Sequence, residues 1–417
     1  MKCRCSVALL SFTMARLTLS LLLNSGARQY RQKVASPRDP FKNTLSSRSF
    51  RTVGIRRFSL AEQYSTDEYA MDETDDQNDR DEITLLDPEQ LGPLVQPKAL
   101  SPSSIMEFKK CPQSFLFQYL YNIKQPKSLA LAKGSMCHDA LDKLFDLDQK
   151  DRTLENLQNL LRVSWSDNRL TDTYRDLFET NAENGAAVRD IDAEREWGQS
   201  ALQLLENYYQ LEDPRDISRP NPLKREIWLN ADLTIDPRKG VTGYVCDAGG
   251  FETPVNDDVA PTFRVRGIVD RFDMVRLSSY QVSMRLIDYK TGKFPNLKYS
   301  ASCNERIVDE ALFQLKIYAL LHREKGSGND LDLRYLRLFY LTSQTGEARY
   351  LDFDLGETQQ ERDAILQDIH VDLANVWTNI AELVSSQDPK AFAGCDRSFC
   401  FCHKCRERFV PGSLWQP

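Results

Sequence analysis

The sequence predicts a mixed α/β core with a helical N-terminal subdomain, and three observations predict it. Apolar residues recur at helical intervals from about residue 105 to 211. After Pro222 apolar and polar residues alternate with period two in successive runs. Helical and strand-like stretches then take turns as far as Val384. The 417 residues are 41% hydrophobic and 28% charged, with 18 Gly and 18 Pro. That composition excludes a collagenous, wholly disordered or polytopic membrane chain and leaves room for one large domain or two.

The elements follow in order. Residues 1–60 hold twelve Lys/Arg and a single acid, Asp39. Their apolar run from Val7 to Leu23 is broken by Arg16 and is too short for a comfortable membrane span. An Arg- and Ser-rich, acid-poor start is the composition of an organelle transit peptide, so import into a mitochondrion or plastid is expected. Residues 61–90 invert the balance with twelve acids against Arg80. They begin an acidic, solvated linker that is taken to residue 97. The two segments cancel, so the remainder carries the chain's net charge of −7. A uniformly basic nucleic-acid-binding surface is excluded, and a polyanion must meet a local basic patch or a bound metal ion.

A domain over 98–410 divides into a helical part (98–222), a core (223–355) and a C-terminal helix with a Cys cluster (356–410). Ser101 caps a first helix, with Pro102 in its first turn. Further helices are expected over 129–147, 152–166 and 187–211, with 167–186 a polar loop or insertion. Strands are expected at Glu226–Leu229, Phe263–Asp270 and Ser283–Lys290, the last two joined through a turn at Leu277–Ser279. A helix over 305–322, strands at 333–341 and 348–353, and a long helix over 357–384 complete the order. The chain contains no internal repeat and no Walker-type Gly-x4-Gly-Lys-Ser/Thr, so it supplies no motor of its own.

Acids and bases gather on the expected strands. Glu226 lies on the first and Asp270 ends the second. Asp288 and Lys290 lie on the third, two residues apart and therefore on one face. Two carboxylates are hard oxygen donors for Mg²⁺ or Mn²⁺. An ammonium beside them can orient a metal-bound water or stabilise a charged transition state. Tyr289 points to the opposite face, so only its carbonyl can join them. A lone Asp-x-Lys is more often a surface charge or a strand-end ion pair; the surrounding motifs change that balance.

In these motifs the chain resembles the RecB-type branch of the PD-(D/E)XK nucleases, which includes the CRISPR-associated RecB-like exonucleases. The resemblance covers about residues 100–406, with insertions near 167–186 and 233–260. It rests on six elements in the family's order. They are Leu100-Ser101-Pro102-Ser103-Ser104 leading to Cys111-Pro112; Gly134 followed by His138; the Glu226 strand; Gly267 to Asp270-Arg271; Asp288-Tyr289-Lys290-Thr291-Gly292-Lys293; and Gln314-Leu315-Lys316-Ile317-Tyr318. The resemblance implies a restriction-endonuclease-like sheet flanked by helices. It implies that His138, Asp270, Asp288 and the Tyr289 carbonyl hold the metal, that Lys290 is the catalytic lysine, and that Gln314 and Tyr318 face the DNA strand. Glu226 matches a less constant acidic position. A single helical histidine is more often packed or at the surface; Gly134 one turn before His138, leaving room for close backbone approach, favours the ligand role.

Four of the ten cysteines fall within residues 395–405. Cys402-x-x-Cys405 is a metal-type spacing, and a zinc knuckle that His403 could join is one reading. The resemblance offers another: a 4Fe–4S cluster held by one early cysteine, here Cys111, and three late ones. The late spacing departs from the family's Cys-x2-Cys-x5-Cys, leaving one of Cys395, Cys400, Cys402 and Cys405 surplus. Of these, Cys405 is the safest match, because Arg406 and Phe409 after it also fit. Cys137 is read as helix packing.

Residues 98–133 carry Lys98, Lys109, Lys110, Lys124, Lys127 and Lys133 against one acid, Glu107. These lysines suit phosphate contacts. The interleaved Phe108, Phe115, Phe117, Tyr119 and Tyr121 are read mostly as a core-facing stripe rather than a base-stacking track. The expected activity is a metal-dependent DNA exonuclease acting on single strands or ends in organellar repair or recombination. The alternatives are a non-catalytic nucleic-acid-binding module and the nuclease subunit of a helicase–nuclease complex. No membrane partner is expected.

Overall fold

A computed structural model of the chain describes residues 32–34, 86–87, 90–125, 127–181, 187–219, 221–236, 244–246, 252–254, 261–326, 331–342, 348–410, 413 and 415. The transit-peptide-like segment, apart from Gln32–Val34, lies outside the described residues. So do most of the acidic linker and most of the insertion at 233–260.

The strands are β1 (Gln32–Val34), β2 (Glu179–Asn181), β3 (Ala187–Arg189), β4 (Lys224–Thr234), β5 (Tyr244–Cys246), β6 (Glu252–Pro254), β7 (Thr262–Arg276), β8 (Val282–Lys293), β9 (Leu333–Thr342) and β10 (Arg349–Asp354). The α-helices are α1 (Pro102–Lys110), α2 (Pro112–Phe115), α3 (Leu129–Leu144), α4 (Leu154–Asn168), α5 (Ile191–Leu211), α6 (Ala301–Lys325), α7 (Gln359–Ser385) and α8 (Phe401–Arg406). The central sheet runs β1-β10-β9-β8-β7-β4. Five of its strands are substantial and β1 is a three-residue edge. Every pair is antiparallel except β8–β9, which is parallel. A parallel pair needs a crossover, and α6 provides it.

Helices cover both faces. α1, α2, α6, α7 and α8 share one apolar core with the sheet, including Leu286, Leu336 and Leu338. α3, α4 and α5 share another with Ile287, Tyr289, Phe339 and Leu341. Alternate residues of β8 and β9 thus feed opposite layers, as the period of a strand dictates. This is the expected restriction-endonuclease-like mixed sheet flanked by helices; the helices expected over 98–222 divide between its faces, α1 and α2 on one and α3–α5 on the other.

Local chemistry sets the element ends. Ser101 and Ser104 cap α1 reciprocally, and Pro102 occupies its first turn. Pro112 stops α1 and opens α2. Ser300 caps α6, which begins earlier than the sequence suggested. Residues 167–186, expected as polar loop, contain a 3₁₀ turn (Arg175–Phe178) and β2 of a small hairpin. Tyr174 and Phe178 there pack against Trp165, and Phe178 also meets Trp197, so the segment has an apolar anchor.

Candidate metal-dependent active site

The site lies where the sheet forks. β7 and β8 pair from Arg276↔Val282 as far as Arg271↔Ile287. Beyond that point β7 stays with β4 and β8 stays with β9. Asp270 and Asp288 are the first residues past the last pair. Leu100 fills the opened side of β7: its N–H donates to the Arg264 carbonyl at 2.9 Å, and the Arg266 N–H donates to the Leu100 carbonyl at 2.9 Å. Diverging strands leave backbone groups at the branch without a ladder partner and open room there for side chains.

Asp270 replaces part of the lost ladder, its Oδ2 accepting the Tyr289 N–H at 2.8 Å. The α3 side chain His138 closes over the same spot. Its Nδ1 lies 3.3 Å from Asp270 Oδ2 and its Nε2 lies 2.9 Å from the Tyr289 carbonyl oxygen. α3 comes close because of Gly134, where a Cβ would stand 3.3 Å from Thr291 Oγ1. On the other strand, Lys290 Nζ is 2.6 Å from Asp288 Oδ2 and donates to Gln314 Oε1 at 2.9 Å. Gln314 Nε2 in turn donates to the Tyr318 hydroxyl at 3.0 Å, one turn further along α6. Tyr318 lies over β7 because Gly267 has no side chain; a Cβ there would meet Tyr318 Cε1 at 2.6 Å and Pro102 Cδ at 3.2 Å.

Glu226 sits opposite Asp270 in register, between the pairs Arg225↔Arg271 and Ile227↔Val269. Its φ of +44° is left-handed, a strained backbone for a glutamate. β4 changes sides there. Arg225 bonds Asp142 and Asp146 on the α3 side, whereas Ile227 packs into the α6 core.

The charges divide the acids. Burial works to raise the Asp270 carboxyl, but the hydrogen bond and charge of His138 outweigh it and hold it below the usual range. Burial and the repulsion of Asp270 raise Asp288 despite Lys290. Burial, then Asp270 and Asp142, push Glu226 up to about 7. Burial disfavours imidazolium, yet Asp270 and then Asp288 carry His138 up to about 9.

The donor set fits a divalent cation. Two carboxylates, an imidazole and a peptide carbonyl lie around the fork. Asp288 Oδ2 is buried without an aligned hydrogen-bond donor and faces only the Lys290 ammonium. The set is open: Asp288 turns to Lys290, and the donors of His138, Asp270 and Asp288 do not form a compact group with every pair within 4.8 Å. Among the described residues, that closeness occurs in one place, the thiols of Cys111, Cys395, Cys400 and Cys402.

Cys111 occupies the break between α1 and α2, Cys400 immediately precedes α8, and Cys402 lies in its first turn. Cys395 Sγ is 4.0 Å from Cys402 Sγ. Arg397 donates to the Lys110 carbonyl at 2.6 Å and Arg406 Nε to Gln113 Oε1 at 2.7 Å, clamping the two chain segments together. Burial opposes ionisation of Cys395, but hydrogen bonds from Arg397 and Cys400 bring it down to about 6. Cys405 is placed differently. It stands one helical turn past Cys402, about 4.5 Å along the axis, and lies outside the thiol group. Burial raises it to about 11. His403 Nε2 lies 2.6 Å from the Cys395 carbonyl oxygen.

The aromatics of the lysine-rich segment divide as the stripe predicts. Phe108, Phe115 and Phe117 are buried in the core, while Tyr119 and Tyr121 reach the surface. Sequence reasoning gave no role to Arg271, although it stands beside Asp270; its partners come from distant segments that no local motif connects. Among the described residues, no helix is long and apolar enough to cross a membrane.

A model of the PD-(D/E)XK nuclease superfamily matches residues 99–408. No curated protein matches the chain.

Proposed function

Because the chain belongs to the PD-(D/E)XK nuclease superfamily, whose members are in general phosphodiester hydrolases acting on nucleic acid, we propose that it is a Mg²⁺- or Mn²⁺-dependent DNA exonuclease of RecB type. The observation that carries this reading is the fork: Asp270, Asp288 and Lys290 come together where β7 and β8 part, with His138 closing from α3. His138, Asp270, Asp288 and the Tyr289 carbonyl would hold the ion. Such an ion lowers the pKa of bound water and neutralises charge on the phosphoryl oxygens. Lys290, held between Asp288 and Gln314, presents its ammonium to the attacking water and the developing charge. Gln314 and Tyr318 position the strand, and the Gln314–Lys290 bond couples that contact to the lysine.

The lysines of residues 98–133 suit backbone contacts. Two lie beside further cations of the C-terminal segment, since Arg397 bonds the Lys110 carbonyl and Arg408 the Lys124 carbonyl. The basic, acid-poor N-terminus supports organellar import, and the absence of a Walker motif leaves room for a helicase partner.

For the four thiols we infer a 4Fe–4S cluster, supported by one early and three late cysteines. A specific observation favours a second reading, zinc. Tetrahedral zinc with bonds of about 2.3 Å sets its sulfurs about 3.8 Å apart, near the spacing here, whereas an iron–sulfur cube needs a wider spread. Anaerobic purification decides: a brown protein absorbing near roughly 400 nm carries the cluster, and a colourless zinc-containing one overturns it.

The activity test uses the full chain, Mn²⁺, and end-labelled linear and circular single-stranded DNA. Linear DNA should be degraded and circular DNA spared. Lys290→Ala and Asp288→Ala should each lose at least about 10³-fold with unchanged circular dichroism. Cleavage of circles would make the enzyme an endonuclease. No cleavage with any divalent ion would leave the binding-module reading.

A further inference from the structure

Behind the fork, on the face away from Lys290, lies a closed set of buried charges. Arg271, one residue after Asp270, is 1% exposed. Its Nη1 donates to Glu212 Oε1 at 2.7 Å and to the Tyr289 hydroxyl at 2.5 Å. Its Nη2 donates to Glu212 Oε2 at 3.1 Å and to Asp273 Oδ2 at 2.9 Å. Arg219 bridges the same two acids, at 2.5 Å from Glu212 Oε2 and 3.0 Å from Asp273 Oδ2. Tyr208 completes the set with a hydrogen bond of 2.5 Å to Glu212. Two cations and two anions bond one another, and Arg285 adds a further positive charge near Asp273 and Glu212. The rings of Phe145, Tyr289 and Phe339 wall in the Arg271 guanidinium, with centroids 5.2, 5.6 and 5.8 Å away.

Buried ion sets are poor sources of stability, because desolvation offsets most of their attraction. The location of this one suggests another use. The β7–β8 ladder ends at Arg271↔Ile287. Past it, two links on either side of the backbone join the strands: the Tyr289 N–H to Asp270 at the front, and the Tyr289 hydroxyl to Arg271 at the back. Each back-side residue is the chain neighbour of a front-side acid, Arg271 of Asp270 and Tyr289 of Asp288. A shift of the Arg271–Tyr289 link therefore moves one carboxylate relative to the other.

We propose that Arg271 and Tyr289 are positioning residues. Their buried bond fixes the opening of the fork, and so the spacing of the carboxylates that receive the divalent ion. Glu212 and Arg219 hold the guanidinium in the orientation this requires. The inference rests on the nuclease reading for the ion's use, but ion binding itself is measured separately.

The decisive variant is Tyr289→Phe, which removes one hydroxyl and keeps the ring. Mn²⁺ binding to the metal-free full chain is followed by loss of the free-ion paramagnetic resonance signal, beside the melting temperature and kcat and KM on single-stranded DNA. The expected result is a folded protein with Mn²⁺ affinity and kcat each lowered about 10-fold, the DNA KM unchanged, and kcat partly recovered at high Mn²⁺. Arg271→Lys keeps the charge but cannot span Glu212, Asp273 and Tyr289, and should act in the same direction more strongly. Tyr208→Phe is the control, since it keeps the ring that meets Tyr289 edge-on and removes only the hydroxyl bonded to Glu212. It should lower the melting temperature and leave Mn²⁺ affinity in place. A folded Tyr289→Phe with wild-type Mn²⁺ affinity and kcat would sink the proposal, as would equal loss of affinity in Tyr208→Phe. A wild-type chain that binds Mn²⁺ without cutting DNA would instead remove the nuclease reading, leaving the affinity comparison to judge the positioning role.

Discussion

Asp270 and Asp288 carry the same side chain and acquire opposite tendencies, the first lowered by His138 and the second raised by burial and its neighbour. Environments that push two acids apart are a frequent mark of chemistry. His138 is the more testable member. In the metal-free protein Asp270 keeps its imidazole protonated to about pH 9, whereas a metal ligand must be neutral. A raised folded-state pKa contributes stability in full below the ordinary value near 6.5, and that contribution is lost as pH rises through about 9. The metal competes with this proton. We therefore expect Mn²⁺ binding at pH 7 to release a proton, visible as a calorimetric heat that depends on the buffer. The melting-temperature gain from Mn²⁺ should also grow from pH 6 to pH 9. In His138→Ala the buffer dependence should shrink, leaving only what Glu226 and Asp288 release; an unchanged heat would place the released proton elsewhere.

Among the elements, β7 meets the tightest steric demand. Gly267 lets Tyr318 and the start of α1 lie directly on the strand. Gly267→Ala must displace a ring whose hydroxyl accepts from Gln314. The expected cost is about 1–3 kcal/mol of stability, with a fall in cleavage beyond what lost folding explains. A crystal structure with Tyr318 unmoved would contradict it. In the helical layer, α4 and α5 are joined through Glu194, which accepts from Trp165 Nε1, Arg169 Nη2 and Arg189 Nε at 2.7 Å each. Burial opposes its ionisation, but Arg189, Trp165 and Arg169 bring it down to about 2. A lowered carboxyl stabilises above its unfolded value near 4.5 and loses that contribution as pH falls toward 2. Glu194→Gln should cost about 2 kcal/mol at pH 7, and the difference from wild type should shrink as pH falls below 4.5. Urea unfolding at several pH values checks both.

Across the whole molecule, the thiol group brings the start of the domain against its end. Cys111 follows α1, whose other end rests on Gly267 beside the fork. Cys395, Cys400 and Cys402 come from the last quarter of the chain. Chelation or Cys402→Ser should free both segments to proteolysis between residues 98 and 125 and weaken cleavage, while Cys405→Ser should do neither. Equal sensitivity of the two variants would return Cys405 to the ligand set. The charge distribution acts at the same scale. A chain of net charge −7 places Lys110 and Lys124 against Arg397 and Arg408. Replacing both lysines by alanine should reduce the slope of log affinity for DNA against log salt by about 2, leaving hydrolysis of a small phosphodiester unchanged. An unaltered slope would take the backbone away from this patch.

The order of elements and the two faces of β8 were legible in the sequence, because strand and helix periods are local; the short motifs also picked out Asp288, Lys290, Gln314 and Tyr318, which the fold brings into one chain of contacts. Cys111 could be joined to the late cysteines only through resemblance. That Cys395, Cys400 and Cys402, and not Cys405, gather around Cys111 belonged to the tertiary structure, since it depends on how α8 seats against the α1–α2 break. The same holds for the fork and for the set around Arg271. Periodicity specifies which face a side chain takes, but the place where two strands stop pairing, and which distant charges meet behind it, is decided by packing among segments far apart in the chain.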